Sequence, residues 1–382
     1  MVNFDYIIVG AGASGLMMAY RMSQDTFFDD KTILLLDKEK KQKNDRTWCY
    51  WKDNHDEWND IVTTSWKKII FKSDFYTGEE NIAPNTYKMI RSKDFYEKIW
   101  KHLASKKNIS FQAENVLNIK QLENEASVKT TNKVYRATTI LNSILFSDDY
   151  QKQNKYPVLQ QHFVGFFIKT KDPIFNDSAA TFMDFTVQQK GNTRFMYILP
   201  YTKNEALFEY TLFSKDLLPY NDYKIEIENY LADRNITDYK IVEKEQGAIP
   251  MTCYKFWQHN SKNIIHIGTA GGWSKASTGF TFKNTTRKTT QLINHIKENK
   301  PLVNFHKIDK FWFYDLLLLD ILSKKNHLGA SIFGQMFQKN HPNKILKFLD
   351  EETSLKEDLS IQLKMPIFLF VKALFRRVFN FI

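Results

Sequence analysis

The sequence predicts an α/β fold in which a nucleotide-binding domain is interleaved with a β-rich domain and followed by a helical C-terminal region. Three observations predict it. A strand-like segment at 5–9 leads into a glycine-rich turn, a helical segment and a second apolar run at 32–36. Short alternating segments typical of strands dominate 160–215. From about residue 305 onward, apolar side chains recur at helical spacing.

The N-terminal segment has the Gly-x-Gly-x-x-Gly pattern of a dinucleotide-binding βαβ unit. Gly10 permits a tight turn, Gly12 lets the backbone approach a pyrophosphate, and Gly15 lets the helix pack on the strand. Asp37, 22 residues after Gly15, would accept a hydrogen bond from a ribose hydroxyl. An ordinary glycine turn is the alternative, but it leaves Asp37 unexplained. We therefore predict a Rossmann-like domain that binds FAD or NAD(P), and its N-terminal position favours FAD by analogy of fold.

A second glycine-rich turn follows the apolar run 263–267. It contains Gly-x-x-Gly-Gly and then Ser-Thr-Gly ahead of a predicted helix at 286–297. Its backbone N–H groups could contact a second part of the same cofactor, and a tight turn with a helix cap is the alternative. We predict eleven cofactor-binding residues from the βαβ unit, the segment after it and the second turn. They are Gly10, Gly12, Ser14, Gly15, Asp37, Arg46, Thr269, Gly271, Gly272, Thr278 and Gly279.

The composition limits the function classes that remain. The chain has 382 residues, enough for two domains, and only two cysteines, too few for a disulfide framework or a cysteine metal site. We predict no metal site. No segment approaches the ~18 apolar residues of a membrane-spanning helix. The net charge of +11 suits an anionic membrane surface or nucleic acid, but no nucleic-acid motif accompanies it, so we predict no nucleic-acid partner.

These patterns predict an interleaved domain organisation. The FAD-binding domain is assigned to 1–50, 91–150 and 256–300, the β-rich substrate domain to 51–90 and 151–255, and a helical C-terminal region to 301–382.

Six segments together resemble a known family. They are 9–15 (Val-Gly-Ala-Gly-Ala-Ser-Gly), 45–51 (Asp-Arg-Thr-Trp-Cys-Tyr-Trp), 182–185 with 195–200, 207–211 (Leu-Phe-Glu-Tyr-Thr), 245–251 (Glu-Gln-Gly-Ala-Ile-Pro-Met) and the turn 268–282. In this order they resemble the bacterial and plant lycopene cyclases, FAD-dependent proteins related to flavin monooxygenases and geranylgeranyl reductases. The resemblance extends from the N-terminus to about residue 285 and is weaker beyond it.

The resemblance implies a fold, a reaction and its cofactors. The FAD-binding domain would be of the glutathione-reductase/flavin-monooxygenase type. Lycopene and other linear carotenes would be cyclised to β-ionone rings without net redox change, with FAD active in its reduced form and NAD(P)H as reductant. The protein would be cytoplasmic and peripherally associated with the inner face of the membrane. The competing interpretations are an FAD-dependent monooxygenase or polyene reductase acting on another apolar isoprenoid, and a flavin-binding membrane scaffold without activity.

The cyclisation requires a carboxylic acid in an apolar pocket, because burial raises the pKa of such a group. Glu209 lies on an aromatic strand and aligns with the catalytic glutamate of the family, so we assign it as the acid and as a candidate for the later base. Strand alternation alone groups it with Leu207 and Thr211 and does not bury it. Glu245 is either a second acid/base or a turn residue, and Asp184 is a further candidate acid at a family position.

Aromatic side chains would line the site of the polyene and its cation, since π faces attract cations most strongly when desolvated. Ordinary core packing is the alternative for each of them. The candidates are Trp48, Tyr50, Trp51, Phe182, Phe185, Phe195 and Tyr197.

The C-terminus predicts an amphipathic helix after Pro366, suited to a membrane interface, with packing on the protein's own core as the alternative. Its apolar side chains are Ile367, Phe370, Val371, Leu374, Phe375, Val378 and Phe381, with Lys372, Arg376 and Arg377 on another face.

Just upstream, 348–353 resembles by letters the Phe-Leu-Glu-Glu-Thr segment of plant cyclases. We assign it no acid role, because it lies in the helical region and Ser354 with Glu357 predicts a capping box.

Overall fold

The computed structural model describes residues 2–379, so Phe381 of the predicted C-terminal helix lies outside the described residues. The strands are β1 Val2–Val9, β2 Ile33–Asp37, β3 Thr47–Lys52, β4 Thr64–Trp66, β5 Lys68–Lys72, β6 Thr77–Asn81, β7 Thr86–Arg91, β8 Ile109–Ala113, β9 Val116–Gln121, β10 Ala126–Thr130, β11 Val134–Asn142, β12 Val158–Thr170, β13 Ala179–Asp184, β14 Thr193–Pro200, β15 Glu205–Ser214, β16 Tyr239–Thr252 and β17 Ile264–His266. The helices are α1 Ala13–Gln24, α2 Ser92–Leu103, α3 Asp149–Lys152, α4 Tyr220–Ala232, α5 Phe282–Lys297, α6 Lys310–Lys324, α7 Gly329–Lys339, α8 Pro342–Leu349, α9 Leu355–Gln362 and α10 Ile367–Phe379.

The chain forms two compact units that alternate along the sequence. The first unit comprises Met1–Trp48, Arg91–Lys155 and Cys253–Asp309. The second unit comprises Cys49–Ile90, Tyr156–Thr252 and Lys310–Ile382. The assignment of a cofactor role to one set of segments and a substrate role to the other stays a prediction.

The first unit is built on a mostly parallel sheet with the strand order β8-β2-β1-β11-β10-β9, and β17 pairs with β11. Strands β8, β2, β1, β11 and β17 run parallel, so their carboxyl ends lie along one edge. The five residues of β2 are all buried, as a strand covered on both faces requires. This topology confirms the predicted α/β class with a Rossmann-like sheet. In such sheets, ligands bind at the carboxyl ends of the strands.

The second unit contains a seven-stranded, mostly antiparallel sheet with the order β16-β12-β15-β14-β13-β5-β6, in which β13 and β5 run parallel. Side chains alternate between its two faces. One face packs on α4, which contributes Tyr223, Ile227, Tyr230 and Leu231 to a core with Phe166, Phe208 and Tyr210. The opposite face carries the alternate residues of the same strands, and Glu209 is among them. A separate three-stranded sheet has the order β3-β7-β4.

The helical C-terminal region is confirmed, with α6 to α10 following one another from Lys310. The predicted capping box is present at the start of α9: the Ser354 hydroxyl accepts from the Glu357 N–H, and the Glu357 carboxylate accepts from the Ser354 N–H. The two arginines of the predicted basic face of α10 do not face a membrane surface. Arg376 and Arg377 instead bind the buried carboxylate of Asp320 on α6. None of the described helices is long and apolar enough to span a membrane.

Candidate active site

The first glycine turn connects β1 to α1 and has the steric demands that the sequence predicts. Gly10 has φ +95°, and a Cβ there would lie 2.2 Å from Ser143 Oγ. A Cβ on Gly15 would lie 1.8 Å from the Gly10 carbonyl oxygen, so only glycine lets α1 approach the turn. A Cβ on Gly12 would meet no atom within 4 Å. The chain itself therefore requires Gly10 and Gly15, whereas the space in front of Gly12 is open to a ligand.

Asp37 ends β2 beside this turn. Its side chain is buried, and the Ala11 N–H donates to Oδ2 at 2.6 Å. The carboxylate thus holds the glycine turn in place and stands at the carboxyl edge of the sheet. Its predicted contact with a ribose hydroxyl stays a prediction.

The second glycine turn follows β17 and packs against the first. Gly268 has φ +59°, and a Cβ there would lie 2.3 Å from Ser14 Oγ. A Cβ on Gly271 would lie 2.1 Å from the His266 carbonyl oxygen. The turns are about 250 residues apart in sequence, and the parallel pairing of β1, β11 and β17 brings them together. The sequence predicted both turns, and the structure shows that they form one surface.

The other predicted cofactor-binding residues of the second turn are Thr269, Gly272, Thr278 and Gly279, whereas Arg46 comes just before β3. Gly272 and Gly279 have φ +70° and +69°. Thr269 Oγ1 is 3.2 Å from Ser274 Oγ, and Thr278 Oγ1 accepts from the Phe280 N–H at 3.4 Å. Arg46 is exposed, and its Nη1 donates to the Asp45 carbonyl.

A row of four residues crosses the large sheet of the second unit. Tyr197, Glu209, Gly165 and Glu245 are directly paired across β14, β15, β12 and β16. Paired residues lie on the same face. The glycine separates the two glutamates, and a Cβ there would lie 3.2 Å from Glu245 Cγ and 3.5 Å from Glu209 Cβ. Two carboxyl groups therefore share one face across a position that has no side chain.

Glu209 is the buried member of this pair, with 8% of its surface exposed. Burial raises the pKa of its carboxyl well above the usual value, and the negative charge of Glu245 raises it further. The Thr211 hydroxyl donates to Glu209 Oε1 at 2.8 Å and opposes this shift. Burial and the neighbouring Glu245 therefore favour the protonated form of this carboxyl. Strand alternation could not show this burial, because it results from what packs on that face.

Two residues that the sequence analysis did not assign extend the row. The hydroxyls of Tyr87 and Tyr197 are 2.6 Å apart. The thiol of Cys49 has hydrogen-bond interactions with both tyrosines, and burial raises its pKa, with the charges of the two glutamates adding to the effect. Cys49 lies inside the segment 45–51 that carries the family resemblance, so its position was a usable signal. For Tyr87 the sequence offered no signal.

An aromatic layer covers the same face of the sheet. Phe185 lies 5.5 Å from Phe195, and Tyr87 lies 5.5 Å from Phe182, measured between ring centroids. Helix α7 adds Phe333, stacked on Phe185 at 5.9 Å, and Phe337, 6.0 Å from Phe182. The structure thus brings together the predicted Phe182, Phe185, Phe195 and Tyr197. Sequence reasoning missed the two α7 phenylalanines because they belong to a separate helical segment.

Trp51 joins this layer, with its ring 6.4 Å from those of Tyr87 and Phe182. Its indole N–H donates to Asp350 Oδ2 at 2.6 Å. Asp350 belongs to the segment 348–353, to which the sequence analysis gave no acid role. In the structure, this aspartate orients a tryptophan.

Three predicted residues are not brought to the glutamate pair. Trp48 belongs to the first unit, where it stacks on Phe282 at 5.3 Å. The Tyr50 hydroxyl donates to Asp56, which is ion-paired with Lys88 at 3.0 Å.

Asp184 is the third, and it lies on the other face of the large sheet. It is paired with Met196, whose neighbour Tyr210 belongs to the core on α4. Its oxygens accept from the Thr186 and Tyr230 hydroxyls, each at 2.6 Å, and it pairs with Arg234 at 3.4 Å. This carboxylate is saturated with donors and connects β13 to α4, an arrangement that does not suit an acid.

Two comparisons relate the sequence to known proteins. A family model described as lycopene cyclase protein matches residues 5–375. A lycopene beta-cyclase of Pantoea ananas is 24% identical over 304 residues, which cover 73% of this chain and 71% of that protein.

The solved structures that are similar share the fold. A geranylgeranyl bacteriochlorophyll reductase-like protein of Thermoplasma acidophilum has a TM-score of 0.63 at 11% identity, covering 99% of this chain and all of that one. A flavoprotein/dehydrogenase of Cytophaga hutchinsonii has a TM-score of 0.59 at 11% identity, covering 91% of this chain and 92% of that one. The flavin-dependent brominase Bmp2 has a TM-score of 0.59 at 11% identity, covering 91% and 93%. Since the family model spans nearly the whole sequence, the chain belongs to the lycopene cyclase family.

Proposed function

We propose that the protein is a lycopene β-cyclase that converts the linear ψ-ends of lycopene into β-ionone rings, giving γ-carotene or β-carotene. The observation that carries the proposal is the pair Glu209 and Glu245. A buried carboxylic acid, whose pKa burial raises well above its usual value, faces a second carboxylate beneath an aromatic layer. A hydrocarbon substrate offers only double bonds to attack, so the reaction needs such an acid and apolar walls.

The first unit fits a dinucleotide cofactor, which we propose to be FAD. Gly12 leaves open space where a pyrophosphate would approach, and the N-terminus of α1 points its N–H groups to the same place. Gly268 and Gly271 would add backbone from the second turn, and Asp37 beside the first turn would bind the ribose. When bound and reduced by NAD(P)H, the flavin would supply negative charge that favours a carbocation. These cofactor roles belong to the proposal.

The chain's own residues would carry the proton chemistry. Glu209 gives its proton to the terminal double bond of the carotene, which leaves a tertiary cation. The neighbouring double bond attacks that cation and closes a six-membered ring. A ring proton then returns to a carboxylate, either Glu209 or Glu245. Atoms and oxidation state balance, so the product has the mass of the substrate and the enzyme is an isomerase of the intramolecular lyase type.

The aromatic layer would exclude water and offer π faces to the cation. Trp51 is held by Asp350, and Phe182 lies against it. A fixed ring stabilises a passing cation without forming a bond to it. The apolar substrate also implies access from a membrane, so we propose a cytoplasmic protein attached peripherally to the inner face, with carotenes and the membrane surface as partners and no nucleic acid.

The test is expression in a host that accumulates lycopene, with pigment analysis by chromatography and mass spectrometry. Wild type should yield cyclic carotenes of unchanged mass. Glu209→Gln should leave lycopene, a loss of at least about a hundredfold because the proton donor is gone. Glu205→Gln is the matched control, since Glu205 lies on the same strand in an exposed ion pair with Lys169 at 2.8 Å and should cyclise as wild type does.

Two results would overturn parts of the proposal. Equal conversion by Glu209→Gln would remove Glu209 as the acid. Products that gain oxygen or hydrogen would replace the cyclase with an FAD-dependent monooxygenase or a polyene reductase.

Misfolding of the Glu209→Gln variant is checked by thermal unfolding. Because the folded state raises the pKa of Glu209, stability is lost as pH rises toward that pKa, so Glu209→Gln should be at least as stable as wild type at neutral pH.

A further inference from the structure

Helix α10 places its arginines toward the protein. Arg376 Nε donates to Asp320 Oδ2 at 2.8 Å, and Arg377 Nη2 lies 2.7 Å from Asp320 Oδ1. Asp320 is fully buried on α6. Burial alone would raise the pKa of its carboxyl, but the hydrogen bond from Arg376 and the charge of Arg377 lower it overall. The carboxylate stays charged, and the ion pairs fix the rotation of α10 about its axis.

The side of α10 that meets the protein also holds apolar residues. Ala373 is fully buried in a cluster with Leu317, Ile321 and Ile332 from α6 and α7. Leu369 and Phe370 are half-buried and pack against the same cluster, and the other large apolar side chains of α10 lie on the opposite side of the helix.

Those side chains form what we call the outer face of α10. Phe368, at 87% exposure, protrudes furthest among them. They recur at intervals of three and four residues, so they form one continuous side of the helix. The outer face consists of Ile367, Phe368, Val371, Leu374, Phe375, Val378 and Phe379, all exposed.

The preceding helix repeats the pattern. Leu355, Leu359 and Leu363 are spaced four residues apart at α9 and its end, and all three are exposed, Leu355 at 70%. Exposed apolar residues that occur singly need no explanation, but a run of this kind marks a surface that another apolar phase covers. Basic side chains accompany it, with Lys356, Lys364 and Lys372 exposed in the same stretch.

We propose that the outer face of α10, with the leucines of α9, docks on a phospholipid bilayer that contains anionic lipid. Apolar side chains of an interfacial helix enter the boundary of the acyl chains, and flanking lysines bind anionic headgroups. The net charge of +11 favours that surface and disfavours a second copy of the chain, which would bring like charges together. The inference rests on the proposed function in one respect, since a carotene substrate dissolves in the bilayer.

The test is flotation of the purified full-length protein with vesicles of phosphatidylcholine, alone or mixed with phosphatidylglycerol. Wild type should float with the mixed vesicles and less with the neutral ones. The double variant Phe368→Glu/Phe375→Glu should bind at least about tenfold less, because two charges would enter the acyl boundary. The matched control Ile174→Glu/Leu217→Glu changes two exposed apolar residues elsewhere in the second unit and should bind as wild type does.

Two outcomes would overturn the docking proposal. One is equal flotation of the Phe368→Glu/Phe375→Glu variant and wild type. The other is a wild-type dimer, detected by light scattering, that the variant converts to a monomer while vesicle binding is unchanged. That result would identify a second copy as the partner. Equal thermal unfolding midpoints for all variants show that the loss of binding is not a loss of fold.

Activity in detergent micelles separates this proposal from the proposed function. The Phe368→Glu/Phe375→Glu variant should cyclise lycopene in micelles as wild type does, and fail only when lycopene is supplied in vesicles. Flotation without any cyclisation would keep the docking surface and remove the cyclase. If the wild-type protein cyclised lycopene from vesicles but did not float with them, the cyclase would be kept and the docking surface removed.

Discussion

The two units build their candidate sites from different materials. In the first unit, the surface of the two glycine turns is made of backbone, and its shape follows from where side chains are missing. In the second unit, the row of Tyr197, Glu209 and Glu245 is made of side chains that four strands bring together. A backbone site is encoded by a local motif. A side-chain site depends on strand register, which residues far apart in sequence determine together.

The largest effect should come from breaking the first turn. Gly15→Val would place a branched side chain where a Cβ alone already lies 1.8 Å from the Gly10 carbonyl oxygen. The Gly10 carbonyl belongs to the backbone and cannot move aside as a flexible side chain could. We therefore expect the free energy of unfolding to fall by several kcal/mol and soluble protein to be lost. Soluble yield and thermal unfolding measure it.

Gly12→Ala is the matched control for that variant, because a Cβ at Gly12 meets open space. It should unfold at the wild-type temperature and lose only cofactor affinity, measured by flavin absorbance after purification. A Gly12→Ala protein as unstable as Gly15→Val would show that the turn is structural throughout, and the contrast between the two glycines would fail.

A smaller effect is expected at the second site from Glu245→Gln. Activity requires protonated Glu209, so it falls as pH rises through the Glu209 pKa. Removal of the Glu245 charge removes one of the causes that raise this pKa, and the fall should move to lower pH. A shift of one pH unit corresponds to about a tenfold loss on the alkaline limb. The pH profile of cyclisation in micelles measures it.

Glu243→Gln is the control for this shift, since Glu243 lies two residues away on the same strand and is paired with Phe167 rather than with Gly165. Its profile should match wild type. An unchanged profile in Glu245→Gln would mean that the charge of Glu245 does not affect the pKa of Glu209. The pairing of the two glutamates across the sheet would then have no role in the proton chemistry.

The sequence predicted those structural features that a single short motif encodes. Gly10, Gly15 and the position of Asp37 follow from one motif, and the structure brings the second turn beside them. Glu209 was found through the family resemblance, whereas its burial depends on tertiary packing that strand alternation does not show. The inward rotation of Arg376 depends on Asp320, which lies 56 residues away, so no helical pattern could contain it.

The finest test concerns the Thr211 hydroxyl, which donates to Glu209 Oε1 and lowers the pKa that burial and Glu245 raise. Thr211→Val keeps the side-chain shape and removes the donor. The Glu209 pKa should rise further, so activity should persist to higher pH, opposite in sign to Glu245→Gln. The maximal rate should change only a few-fold, since the proton donor is intact. Because the two variants act on one carboxyl in opposite directions, a structural disturbance cannot imitate both. If Thr211→Val also moved the alkaline limb to lower pH, the observed group would not be Glu209.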